Sequence, residues 1–113
     1  MAQRIERKLT TVLCADVAGY SRLMDQDEVG TLARLKQHRA ALAGLIGRHG
    51  GRVVNTWGDG LISDFPSVVE AVQCAVEAQQ ELGARNGGLL AEERLEFRIG
   101  INLGDVMVEG EDL

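Results

Sequence analysis

An α+β fold is predicted for these 113 residues: a ferredoxin-like sandwich of order β-α-β-β-α-β, with an antiparallel sheet and helices on one face. Three features carry the prediction. An apolar strand, Leu9 to Ala15, ends in Asp16 and runs straight into a Gly-containing turn. Gly58-Asp59-Gly60 joins two apolar or β-branched runs, a short-range hairpin signal. Two long stretches with helical apolar periodicity separate these strands from one another and from a last alternating strand.

Taken in order, Thr10, Thr11, Val12 and Leu13 make the first strand, being β-branched or apolar with no breaker among them. Tyr20 to Met24 is a short helical turn, and Asp25 with Glu28 reads as a capping box for a helix running to about Arg48. Its buried face is expected to hold Val29, Leu32, Leu35, Leu42, Leu45 and Ile46, and Gly50-Gly51 ends it. Arg52 to Trp57 and Leu61 to Phe65 are the hairpin strands. Pro66, Ser67 and Glu70 open a second long helix, with Val68, Ala71, Val72, Ala75 and Leu82 as its buried stripe and Arg85-Asn86-Gly87-Gly88 as its end. Phe97 to Leu103 alternates like a half-buried strand; Gly104-Asp105 is read as a turn, and Val106 to Val108 as the start of another strand.

Composition is that of an ordinary globular chain, 45% hydrophobic and 26% charged with a single Pro. One domain spanning residues 1–113 is expected, with residues 1–8 a flexible lead-in. The formal charge of −5, from 12 basic against 17 acidic residues and with no basic stripe, argues against nucleic acid as a partner. Cys14 in a strand and Cys74 in a helix read as buried thiols of a reducing compartment. There is neither an apolar signal core nor a membrane-length apolar run, so a cytoplasmic location is expected. His38 and His49 stand alone and are assigned surface or capping roles.

The predicted order also brings chemistry together. A right-handed crossover sets the second strand parallel to the first, and the third slots between them, so the hairpin tip lies beside the exit of the first strand. Asp16 and Asp59 then end on adjacent strands about 4.8 Å apart. Each aspartate alone is explained by its own turn; neither turn explains the convergence. Two carboxylates that close favour a cation between them, most simply Mg²⁺ shared with the phosphates of a nucleotide.

The segments CADVAGYS, GRVVNTWGDG, FRIGINLGDV and VEGEDL stand in an order that resembles the N-terminal part of class III nucleotidyl cyclase catalytic domains, the adenylate and guanylate cyclases, from Lys8 to Leu113. The resemblance implies that Asp16 and Asp59 are catalytic and hold two Mg²⁺ or Mn²⁺ ions per site, joined by the Val17 carbonyl. The stretch Val17, Ala18, Gly19, Tyr20 and Ser21 would take the triphosphate, and Gly58 at the hairpin tip would bind substrate with them. The implied reaction is ATP to cyclic AMP and pyrophosphate, in a homodimer or in a pair with another cyclase domain. Asp112 matches the purine-reading Asp of adenylate cyclases, but Asn55 stands where their Lys would be, which leaves ATP against GTP open. Trp57 is read as a packing residue. The V-N-x-x-x-R segment that supplies the family's transition-state Asn and Arg is not among these residues, so the chain alone is expected to be inactive. The alternative is a Mg-nucleotide-binding or regulatory dimerisation module without turnover.

Overall fold

Strand β1 (Ile5–Val17) is the axis of the sheet. In the computed structural model, which describes residues 5–109, it is followed by α1 (Tyr20–Gln26), α2 (Glu28–Arg48), β2 (Arg52–Trp57), β3 (Gly60–Phe65), α3 (Val68–Arg85) and β4 (Phe97–Glu109). The strands stand in the order β2-β3-β1-β4, each neighbouring pair antiparallel, which is the predicted α+β sandwich. β1 begins at Ile5 rather than Leu9, because its ladder with β4 continues to Ile5↔Glu109. Residues 5–8 are therefore strand, where a lead-in was expected.

Alternation divides the sheet into two faces. Leu13, Ala15, Val17, Leu61, Phe65 and Phe97 face α2 and α3 and form the core with Leu35, Leu42, Leu45, Ile46, Cys74 and Leu82. Each fully buried leucine or isoleucine there contributes about 1.5 to 3 kcal/mol. Burial also pushes the Cys74 thiol up to about 11, whereas Cys14, on the other face, is only half-buried.

Several local readings are corrected. The N-cap of α2 is Asp27, whose carboxylate accepts from Gly30 N at 3.0 Å; α1 runs through Gln26 and so absorbs Asp25. Val29 is 81% exposed and Leu32 is exposed too, because the inward position of this first turn is taken by buried Thr31, which donates to the Leu23 carbonyl at 3.0 Å. On α3 the buried stripe is Ala71, Cys74, Ala78 and Leu82, while Val68 and Val72 face outward. Small side chains let a helix approach the sheet closely, so they win the inner face over the bulkier valines. The Ser67 cap does form, accepting from Glu70 N at 3.1 Å. Gly104 does not turn the chain: it pairs with Thr10, Asp105 pairs with Leu9, and β4 runs on without interruption.

Two histidines and one asparagine stitch the elements together. His38 is buried, not on the surface, donating from Nδ1 to the Arg34 carbonyl at 2.9 Å and stacking on Phe97. His49 caps α2 and bridges to α3 through Glu70 (3.2 Å) and Glu77 (2.8 Å). Buried Asn86 closes the loop after α3, donating to the Leu95 carbonyl at 2.8 Å and accepting from Leu95 N at 3.1 Å.

Asn86→Ala would strand both Leu95 groups in the interior, and it is expected to cost about 3 kcal/mol in chemical denaturation. The His49 bridge carries a pH signature. Its pKa is raised above the ordinary 6.5, first by the Glu77 hydrogen bond, and that of Glu77 is lowered below 4.5, first by His49. The His49 contribution is complete below its unfolded value and is lost as pH rises through the raised native one. The Glu77 contribution is complete above its unfolded value and is lost as pH falls through the lowered native one. The melting-temperature gap between wild type and His49→Gln should therefore be widest between 4.5 and 6.5 and narrow as pH rises through the raised native value of His49 or falls through the lowered one of Glu77. A gap independent of pH would mean that the bridge acts by packing alone.

Candidate functional site

The register of β1 assembles the site. Ala15 pairs with Leu61 of β3, which brings the hairpin turn Gly58-Asp59 level with the end of β1. Asp59 is held there by its own carboxylate, which accepts from Val17 N at 3.0 Å. The hairpin tip thus lies beside the exit of β1 and is bonded to its last residue. Gly58 takes a left-handed φ of 46°, as a two-residue hairpin turn requires, and Arg39 of α2 donates to its carbonyl. Trp57 lies across Gly60, where an added Cβ would fall 2.4 Å from the indole, so the ring is a lid on the hairpin backbone, 54% exposed.

On the other side of β1, Asp16 stands directly opposite Arg98 of β4. The guanidinium grips the carboxylate with two bonds, Nε to Oδ1 at 2.8 Å and Nη2 to Oδ2 at 3.1 Å. The Arg98 pKa is raised, first by the hydrogen bond to Asp16, then by the charge of Asp16, with that of Asp59 adding. Sequence reasoning missed Arg98, though a signal existed. With Phe97, Ile99 and Ile101 turned to the core, Arg98 has to face the other way, into the row of Asp16.

After β1 the chain turns through Ala18, whose N–H donates to the Glu96 carbonyl at 2.8 Å, and Gly19, left-handed at φ 66°, which leads into α1 at Tyr20 and Ser21. Asn55 reaches the same side as Asp16 by a device absent from the sequence reading. A bulge in β2 between Val53 and Asn55 sets Asn55 opposite Ile62, in the row of Cys14, where an unbroken ladder would have sent it to the helix face. Asn55 is exposed, its side chain accepting from Thr56 N at 2.9 Å. Asp112 lies outside the described residues.

These residues offer oxygen donors and little else: two carboxylates and the backbone at Val17, arranged on an open sheet edge. Among the described residues no group of three or more His, Cys, Asp or Glu is placed to hold a metal, so protein donors beyond Asp16 and Asp59 are few. Such a set suits a hard cation that completes its shell with ligand oxygens. A cavity of about 490 Å³ among Thr10, Gly50, Arg52, Asp64 and Phe65 lies towards the other end of β1 and shares none of these side chains. No helix among the described residues is long and apolar enough to cross a membrane.

No family model matches the chain. It is 44% identical over 115 aligned positions, covering 98% of its length, to "Putative adenylate cyclase 3" of Rhizobium meliloti, of which it spans 19%. A solved adenylate/guanylate cyclase/hydrolase structure from Silicibacter pomeroyi superposes with a TM-score of 0.86 and 42% identity over 96% of this chain and 64% of that one. The guanylyl cyclase Cya2 follows at a TM-score of 0.77 and 28% identity, over 95% of this chain and 58% of that one. The chain thus spans about a fifth of its curated cyclase relative and less than two thirds of these structures. In sequence and in fold, it is a relative of the class III adenylate and guanylate cyclase catalytic domains, matching part of such a domain.

Proposed function

We propose that these residues form the metal- and triphosphate-binding part of an adenylate cyclase-type site that converts ATP to cyclic AMP and pyrophosphate. The observation that supports this most is the bond from Val17 N to Asp59, which fastens the hairpin aspartate beside Asp16 without the two turns having any local reason to meet. One Asp59 oxygen serves that bond and the other remains for a cation; the Asp16 carboxylate is already matched to a positive group. The donor chemistry therefore fits two Mg²⁺ or Mn²⁺ ions held by Asp16, Asp59 and the Val17 carbonyl. Bound there, such ions supply acidity to the ribose 3′-hydroxyl and charge neutralisation to the departing pyrophosphate.

The chain's own groups do the rest. Val17, Ala18, Gly19, Tyr20 and Ser21 present the turn on which phosphates settle, with Gly19 giving the backbone its left-handed bend. Gly58 shapes the hairpin tip. Asn55, on the face of Asp16, both donates and accepts, so it reads a purine edge less selectively than a lysine would; with Asp112 it favours ATP over GTP by a modest margin. The missing transition-state Asn and Arg come from residues outside these 113, and the working form is a homodimer or a pair with a second cyclase domain.

Asp16→Asn and Asp59→Asn should each weaken Mn²⁺-dependent ATP binding more than about tenfold, the scale that even indirect metal partners reach. Isothermal titration measures this, and unchanged affinity in both variants would reject the site. Residues 1–113 alone should form no cyclic AMP, but should do so when mixed with a cyclase domain that lacks its own metal aspartates. Turnover by the chain alone would overturn the division of labour proposed here.

A further inference from the structure

We infer that Arg98 is the resting counter-cation of Asp16, and that a divalent ion binds there only by displacing it. The inference rests on the proposed metal site. Its independent support is geometric: Asp16 and Arg98 are paired by the β1–β4 register, the guanidinium takes both carboxylate oxygens, and Asp59 acts electrostatically on the same guanidinium. Asp16 therefore has no oxygen free of Arg98 in this arrangement.

The pair is poorly placed to serve stability. The Arg98 side chain is 69% exposed and that of Asp16 43%, so water competes for both and the bond opens readily. What it can do is tax metal binding. If the bidentate state is occupied about half to nine-tenths of the time, the apparent metal affinity falls about twofold to tenfold, in proportion to the fraction of Asp16 left free. Displaced Arg98 leaves Asp16 and Asp59 as the pair of anions that a doubly charged ion satisfies better than a single guanidinium. One of the two negative charges is thus balanced while the site is empty, and weak binding of stray cations is discouraged.

The test uses residues 1–113, Mn²⁺ without nucleotide, and the electron paramagnetic resonance signal of free Mn²⁺. Arg98→Gln should tighten Mn²⁺ about twofold to tenfold and melt like wild type, since both partners are exposed. Arg98→Lys, which keeps the charge and loses the fork, should tighten it less. In the Asp16→Asn background the gain should vanish. A Mg²⁺ titration should also move the Arg98 Nε–H resonance in wild type towards its position in Asp16→Asn. Equal or weaker Mn²⁺ binding by Arg98→Gln, with binding still dependent on Asp16, would overturn the displacement alone. Mn²⁺ binding that ignores Asp16→Asn would overturn the metal site itself.

Discussion

The double pairing of β1 is the constraint on which the rest of the molecule depends. One strand is hydrogen-bonded on both sides, to β3 through Ala15↔Leu61 and to β4 through Asp16↔Arg98. Because side chains alternate with period two, slipping either ladder by one residue would exchange the core face for the open face. Leu13, Ala15 and Val17 cannot leave the core without a cost of several kcal/mol, so the hydrophobic set fixes the register and the register fixes the polar set. Asp16, Arg98 and, through the hairpin, Asp59 are placed by what their apolar neighbours require.

That dependence explains what could be read from residues alone. The hairpin, both long helices and the strand order follow from patterns that tertiary contacts reinforce, and the placing of the hairpin tip beside the exit of β1 follows from strand order and crossover handedness. What escaped were features decided by a competition the one-dimensional pattern does not hold. The β2 bulge between Val53 and Asn55 appears only in the register of β2 against β3. The outward turn of Val68 and Val72 depends on the space between helix and sheet, which favours Ala71, Cys74 and Ala78. Gly104 carries a turn signal by residue type, yet the ladder with β1 supplies hydrogen bonds that a turn would forfeit. Asn86 looked like a helix stop and is one, but its second role, holding Leu95, becomes visible only when the loop closes.

Charge tells a related story. A chain of formal charge −5 that gathers aspartates at one edge would destabilise that edge unless something cationic were near. Arg98 meets the need on β1's other flank, while the Val17 N–H meets it for Asp59 with a backbone dipole. Neither solution buries a charge, so neither incurs a large desolvation cost, and both are exchangeable. An exchangeable counter-ion is what distinguishes a binding edge from a structural salt bridge such as Arg52 with Asp64, where the carboxylate is only 10% exposed.

The core and the proposed site consequently lie on opposite sides of one sheet. The core leucines and His38 lie with the helices on one face, the His49 bridge spans the two helices, and Asn86 seals the loop behind α3. Asp16, Arg98 and Asn55 lie on the other face with substantial solvent contact, and the Asp59 bond to Val17 together with the Arg39 bond to the Gly58 carbonyl ties the hairpin tip into the frame. Substitutions at Asp16 or Arg98 are therefore expected to leave the fold nearly as stable, since exposed pairs contribute about 1 kcal/mol or less. Asp59 is different in kind. Removing its carboxylate takes away both a proposed ligand and about 1 kcal/mol of hydrogen bonding that holds the hairpin against β1. Its isosteric asparagine keeps an acceptor for Val17 N and removes the charge, which separates the two roles within a single residue.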